Sequence, residues 1–163
     1  MQPGTIRTAT TADLPRMLDL AQQRRVDYAR VQPRFWNPAA DGIARQRPYF
    51  ARQLADDRVI ALVHEQEGET DGFIIGVLMA APPVVDPGGD TCLVDDFVVA
   101  DPATWATVGA ALLAAVRERA LARGAGQLVV ISGHHDTPKR AMLAASGHTV
   151  ASEWWLAPLD AES

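Results

Sequence analysis

The sequence predicts an α/β fold built on a mixed sheet in which most neighbouring strands are antiparallel. Two strand patterns, at 58–65 and 73–80, flank an acidic turn that contains two glycines, as in a β-hairpin. An apolar strand at 91–100 follows, and an Ala/Leu-rich helix at 102–123 leads from it to a short apolar strand at 127–131. Antiparallel strands followed by a helical crossover are typical of a mixed α/β sheet.

The remaining segments complete the order of elements. They are a strand at 6–9, a helix with Thr11 as its N-cap, an ordered loop at 28–38, a helix from Asn37-Pro38 that is kinked at Pro48, a helix at 137–145 capped by Asp136, and a last strand at 153–156. Arg24 and Arg25 are expected on a solvated helix face.

Composition indicates one globular domain over residues 1–163, since 48% of the residues are hydrophobic and the length suffices for one core. A net charge of −5 disfavours a nucleic-acid partner, which usually meets clustered basic residues. The single cysteine, Cys92, suits a reducing cytoplasm, and no apolar run approaches the ~20 residues of a membrane span. We therefore expect a cytoplasmic protein with neither a leader nor a membrane anchor.

The strand at 91–100 and the helix after it form the most informative stretch. Asp101-Pro102 is a good helix start, and the first amides of a helix lack intrahelical partners, so they can receive a phosphate. Gly109 and Ala111 have no bulk to block a close ligand, which suits a pyrophosphate. The alternative is that these small residues only allow tight helix packing.

From Ile6 to Leu159, this order of elements resembles the GCN5-related N-acetyltransferase superfamily. The resemblance implies a sheet of about six to seven strands flanked by about four helices, with a V-shaped splay between the fourth and fifth strands. It also implies acetyl-CoA as co-substrate. The family's Arg/Gln-x-x-Gly-x-Gly/Ala signature matches 106–111, where Ala106 replaces the leading Arg or Gln. The cofactor-binding positions implied are Phe97, Val98 and Val99 on the fourth strand and Thr107, Val108, Gly109, Ala110 and Ala111 after it.

Acetyl transfer to an amine requires a base, and Asp95 and Asp96 are the first candidates because they lie on the fourth strand. Adjacent strand residues face opposite ways, so only one points into the cleft; we expect Asp96 to do so. Burial against aromatic side chains would raise its pKa. The alternative is that one aspartate caps a loop or pairs with an arginine. His64 and Glu65 are reserves.

The departing thiolate requires a proton donor, for which the family commonly has a tyrosine on the last helix. Leu143 occupies that position here. Water, His134, His135 or Ser146 could substitute, or the chain could lack catalysis. No metal is expected, because neighbouring residues such as His134, His135 and Asp136 rarely chelate one ion.

In the family, the segment after the first helix covers the acceptor site. Candidate substrate-binding residues are therefore Phe35, Trp36, Tyr49 and Phe50, with Trp154 from the last strand. The alternatives are that the first four anchor a Pro-rich loop to the core, and that Trp154 belongs to the core or to a dimer contact.

The sequence thus predicts an N-acetyltransferase that moves an acetyl group from acetyl-CoA to a primary amine of a small molecule or peptide. A second hypothesis keeps the fold without catalysis, as an acyl-CoA-binding or protein-interaction module. In a third hypothesis, Trp105 or other side chains fill the ligand site, so that CoA does not bind. A homodimer is compatible with each.

Overall fold

The computed structural model describes residues 4–159. Its elements are β1 (Thr5–Thr8), α1 (Leu14–Val31), α2 (Gly42–Leu54), β2 (Val59–Gln66), β3 (Glu69–Met79), β4 (Asp90–Val99), α3 (Ala110–Ala122), β5 (Ala125–Val130) and α4 (Thr137–Ala145). A 3-10 turn, Thr11–Asp13, precedes α1, while a 3-10 turn, Pro102–Thr104, and a π-helical turn, Trp105–Gly109, precede α3.

The five strands form one sheet in the order β1-β2-β3-β4-β5. The first three pairings are antiparallel, and β4 and β5 are parallel because α3 crosses over between them. The predicted mixed, mostly antiparallel sheet with four main helices is confirmed, although the described residues contain five strands rather than six or seven.

Each face of the sheet carries its own apolar layer. One layer joins sheet side chains such as Leu62, Ile74 and Val94 to Leu112 and Val116 of α3. The other joins Val63 and Phe73 of the sheet to Met17 and Leu18 of α1 and Phe50 of α2. Complete burial of the large side chains on both faces makes the sheet a rigid frame for the strand ends.

One irregularity in β4 positions the candidate site. Val94 pairs with Gly76 and Phe97 with Ile74, so that Asp95 and Asp96 together lie opposite Ile75. Two residues opposite one define a β-bulge, which bends the strand and redirects its side chains. The bulge lies where β4 and β5 separate.

The segment 153–156 is not a strand, which corrects the expectation of a sixth strand there. Trp154 and Trp155 are 81% and 89% exposed. An aromatic-rich segment forms a strand only where a neighbouring strand supplies hydrogen bonds and packing. Within residues 4–159 no strand pairs with this segment.

The start of the predicted loop at 28–38 is also corrected, since α1 continues to Val31 and includes Tyr28. The second helix begins at Gly42 rather than at Asn37-Pro38, and Pro48 lies inside it. Within the described residues, no helix combines the length and the apolar character that crossing a bilayer requires.

Candidate functional site

A V-shaped opening separates the carboxyl ends of β4 and β5. The two strands pair as far as Val94 and Val130, and the last bond between them is donated by the amide of Ile131 to the carbonyl of Val94 at 2.8 Å. Beyond this point β4 continues to Val99, and β3 is the only strand that pairs with it among residues 4–159. The predicted splay between the fourth and fifth strands is therefore confirmed.

The open edge of β4 presents main-chain groups to the V. The Phe97 carbonyl accepts from two side chains instead of from β3. Because the N–H and C=O of one residue face the same side of an antiparallel strand, the Phe97 and Val99 amides face the V, while those of Val98 face β3. The V thus offers two strand amides to a ligand.

Lys139 closes the floor of this V. Its side chain is completely buried, and Nζ donates to the carbonyls of Ile131 at 3.0 Å and Phe97 at 3.4 Å. The rings of Phe97 and Trp105 lie 5.2 and 5.4 Å from Nζ. Burial, followed by the charge of Arg24, lowers the pKa of Lys139 to about 7.

Arg24 enters the V from α1. Its Nη1 donates to the carbonyls of Asp95 at 3.2 Å and Phe97 at 3.3 Å, and Nη2 lies 3.6 Å from the Asp96 carboxylate. The side chain is only 12% exposed, and Nε is buried without a hydrogen-bond partner among the described residues. The expectation of a solvated face is therefore wrong for Arg24, because the bulge supplies acceptors for it.

Asp96 is the aspartate that points inward. Its side chain is 13% exposed, whereas Asp95 is exposed to solvent. Burial raises the pKa of Asp96, and the neighbouring Arg24 opposes this change. The structure thus contains both features considered for this residue, a raised pKa and an arginine partner.

Tyr28 and Asp136 link α1 to the start of α4. The Tyr28 hydroxyl donates to Oδ2 of Asp136 at 2.6 Å, while Oδ1 accepts from the Lys139 amide as the predicted helix cap. Burial, reinforced by this hydrogen bond, raises the pKa of Tyr28. These contacts fix the helix that carries Lys139.

A groove of about 650 Å³ lies between the turns before α3 and the outer face of α4. Small side chains dominate both walls, with Ala103, Ala106 and Ala110 on one side and Pro138, Ala141 and Ala145 on the other. The Trp105 ring stands between this groove and the buried Lys139.

The residues predicted to hold a pyrophosphate lie in helical turns. The amide of Ala110 donates to carbonyls of the π-helical turn, Val108 and Gly109 are buried, and Thr107 and Ala111 are exposed. A Cβ on Gly109 would come within 2.5 Å of the Trp105 ring, so this glycine is required by packing. At the helix start, the Asp101 carboxylate already caps the amide of Ala103 at 2.9 Å.

The aromatic candidates partly converge. The Trp36 ring packs edge-on against Tyr28 at 5.0 Å and against Phe35 at 4.9 Å, and Trp154 lies 6.4 Å from Phe35. Tyr49 is half exposed, and burial, followed by the charges of Asp96 and Asp95, raises its pKa. Phe50 is completely buried in the core, which corrects its inclusion among the substrate-binding candidates. Trp36 is linked to the V through Tyr28, whose ring lies 5.6 Å from Arg24, and Tyr49 through the two aspartates. Phe35, Trp36, Tyr49 and Trp154 together are called the rim.

The reserve groups lie elsewhere. The carboxylate of Glu65 pairs with Arg7 at 2.8 Å, and the ring of His64 pairs with Asp71. Leu143 is buried in the core, and the rings of His134 and His135 pack edge-on against each other at the surface. No group of three or more potential metal ligands occurs within residues 4–159.

Sequence reasoning missed Lys139 and misplaced Arg24. A signal for Lys139 was present, since it is the only lysine of the chain and directly follows a helix cap and a proline. No sequence pattern indicated Arg24, because its role depends on the bulge in β4.

No protein-family model matches the sequence, and no curated protein matches it. Solved structures match over nearly the full length. A mutant of the BH1408 protein from Bacillus halodurans has a TM-score of 0.84 at 15% identity, covering 95% of this chain and 99% of that one.

Two further solved structures are similar. A predicted acetyltransferase with acetyl-CoA from Clostridium acetobutylicum has a TM-score of 0.76 at 14% identity, covering 96% of this chain and 97% of its own. An aminoglycoside 6'-N-acetyltransferase from Acinetobacter haemolyticus has a TM-score of 0.71 at 11% identity, covering 97% and 99%. At such identities the likeness concerns the fold. The chain shares the fold of these acetyltransferase structures, as the order of its elements predicted.

Proposed function

We propose that this chain is an N-acetyltransferase that moves an acetyl group from acetyl-CoA to a primary amine of a small molecule or peptide. The observation that carries the proposal is the open edge of β4, where the amides of Phe97 and Val99 face a V that also holds the Asp96 carboxylate. A similar structure from Clostridium acetobutylicum is described with acetyl-CoA, which supports this choice of donor.

The open edge of β4 suits the donor. Amide-containing chains can add to an unpaired strand edge, and one edge amide can stabilise the charge that develops on an acyl oxygen. The groove beside Ala106 and Ala141 has room for the rest of the donor. The residues 107–111 would contribute through shape and helix dipole, since the Ala110 amide is engaged within the helix.

Asp96 is the base in this proposal. A primary amine is protonated at neutral pH and must lose a proton before it attacks. A carboxyl group with a raised pKa is a better proton acceptor than an ordinary one, and Asp96 lies at the V. Arg24 at 3.6 Å keeps the carboxylate oriented.

The rim suits a cationic acceptor. Phe35, Trp36, Tyr49 and Trp154 present aromatic faces and edges, and aromatic faces attract ammonium groups. The exposed carboxylate of Asp95 adds negative charge nearby.

The test is binding followed by turnover. Titration calorimetry with CoA and acetyl-CoA should show binding, with ATP as the nucleotide control. A panel of primary amines should then release free thiol from acetyl-CoA, and Asp96→Asn should abolish the release while binding persists. Absence of CoA binding would contradict the proposal.

A non-catalytic acyl-CoA-binding or protein-interaction module is the second candidate. The Trp105 ring between the groove and Lys139, together with Leu143 in place of a tyrosine, favours it. It predicts CoA binding without thiol release from any amine, and an Asp96→Asn variant that behaves like the wild type.

A cytoplasmic location and a homodimer are further parts of the proposal. The buried free thiol of Cys92 supports the first, and the exposed rings of Trp154 and Trp155 support the second. Sedimentation at several concentrations tests the dimer, which a constant monomer mass would contradict.

A further inference from the structure

Lys139 stands out chemically. It is the only lysine, and every other member of the chain's 15 lysines and arginines is an arginine. An arginine stays protonated at any physiological pH, whereas a lysine can release its proton when buried. Lys139, the one basic side chain that can release its proton in this way, is also completely buried and lies in the V.

Two cations converge on one carbonyl at this position. Nζ of Lys139 and Nη1 of Arg24 both donate to the oxygen of Phe97, at 3.4 and 3.3 Å. One carbonyl oxygen does not balance two positive charges. The open side of the V therefore favours the binding of an anion. The Phe97 amide, on the same strand edge, faces that same space.

The charged groups around Lys139 come from three elements. Arg24 of α1 opposes its protonation, whereas Asp95 and Asp96 of β4 and Asp136 before α4 favour it. Burial outweighs the carboxylates, which places the pKa of Lys139 at about 7. The side chain is therefore a proton donor and acceptor near neutrality.

We propose that the ammonium group of Lys139 donates the proton that the CoA sulfur takes up when the acetyl group leaves it. The inference rests on the proposed function. The amine nitrogen bonds to the acyl carbon, the carbon–sulfur bond breaks, and its electron pair stays on sulfur. The proton on Nζ moves to that sulfur and leaves Lys139 neutral, while Asp96 receives the proton released by the amine.

The direction of this transfer follows from the acidities. An alkyl thiol has a pKa of about 8.5, above that of Lys139, so the proton moves downhill to the thiolate. Arg24 remains charged and stabilises the negative sulfur without donating. A neutral Lys139 then regains a proton from solvent when the product leaves.

The first measurement uses the single lysine as its own reporter. In protein labelled with ¹⁵N-lysine, one side-chain resonance reports its titration, and we expect a midpoint near pH 7. Because only the protonated side chain can donate, kcat for thiol release should fall above this midpoint. Lys139→Met should lack that fall, and an identical high-pH decline of kcat in this variant would overturn the proposal.

The second measurement compares acyl donors whose leaving thiols differ in pKa. In Lys139→Met, kcat should depend more steeply on the pKa of the leaving thiol than in the wild type, because a thiolate that leaves without a proton donor carries more charge. Arg140→Met, at the next position on α4, is the matched control and should keep the wild-type dependence. Equal dependences in the Lys139→Met variant and the wild type would contradict the proposal.

The outcomes separate the two proposals. If CoA does not bind to the wild type, the proposed function fails and the inference fails with it. If CoA binds and acetyl transfer proceeds with the same pH profile and leaving-thiol dependence in Lys139→Met, only the inference fails. Acetylation of Lys139 itself during incubation with acetyl-CoA, seen by mass spectrometry, would make it an acyl acceptor and overturn its role as proton donor.

Discussion

The two halves of β4 share one strand and differ in their surroundings. From Asp90 to Val94 the strand pairs with β3 on one edge and with β5 on the other. From Asp95 to Val99 only the β3 edge is paired, and the free edge meets Arg24 and Lys139. The first half is part of the sheet interior, and the second presents polar groups to a cleft.

The open half remains attached to the core through its side chains. Phe97 and Val99 point into the same apolar layer as Cys92 and Val94, and the Phe97 ring packs edge-on against Trp105 at 4.8 Å. Unpaired strand edges are usually mobile or prone to association. Here the buried side chains hold the strand in place while its main-chain edge stays unpaired. The main-chain groups that face the V are therefore positioned by the sheet rather than by a loop.

The largest expected effect concerns catalysis in the open half. Asp96→Asn should lower kcat by about 10²–10⁴-fold, the usual contribution of a general base. Asp95→Asn, the exposed neighbour, is the control and should retain most activity. Steady-state thiol release decides between them, and equal losses in both variants would remove the distinction between the two aspartates.

The next effect concerns the attachment of the open half. Phe97→Ala should reduce the free energy of unfolding by about 3–5 kcal/mol, because a completely buried ring is lost. Val94→Ala in the paired half removes two methyl groups and should cost about 1.5 kcal/mol. Urea denaturation measures both, and a smaller loss for Phe97→Ala would show that the open half is loosely held.

A pH effect on stability should follow from Lys139. Its folded pKa of about 7 lies below its ordinary value of 10.5, so between these values the unfolded chain binds more protons. Stability should therefore rise with pH, by up to about 2 kcal/mol from pH 7 to 9. Lys139→Met should lack this increment in denaturation at several pH values, and parallel curves for both proteins would contradict it.

The smallest effect is expected at the rim. Trp154→Ala should change the free energy of unfolding by less than about 0.5 kcal/mol, because its side chain is 81% exposed. If Trp154 binds the acceptor, the KM for the amine should rise with the KM for acetyl-CoA unchanged. Trp155→Ala serves as the control, and an identical change in KM would assign the effect to the segment rather than to Trp154.

The elements that sequence reasoning predicted well are those with local signals. The hairpin of β2 and β3 follows from two apolar strands around Glu67 and Gly68, both with positive φ. The start of α4 follows from Asp136 and Pro138, which cap and open a helix as expected.

The errors arise where distant contacts decide. The segment 153–156 has the composition of a strand, but no strand of the described residues lies beside it. Arg24 has a helix-surface pattern, but its side chain contacts the bulge of β4. Gly109 stays a predicted phosphate-binding position, and its close contact with the Trp105 ring, which the sequence did not indicate, is a second reason for a glycine there. The candidate site could therefore be located from sequence through Asp96, but its cations could not.

The bulge at Asp95 and Asp96 has one further consequence. Because the bulge contains one extra residue, the side chains of Val94 and Phe97 point to the same face of the sheet although they are three positions apart. Removing Asp96 altogether would restore strict alternation and leave every core side chain in phase. The polar opening is thus an insertion of one residue into an otherwise regular ribbon, and shortening the chain by that residue would give a sheet with its frame intact and its chemistry erased.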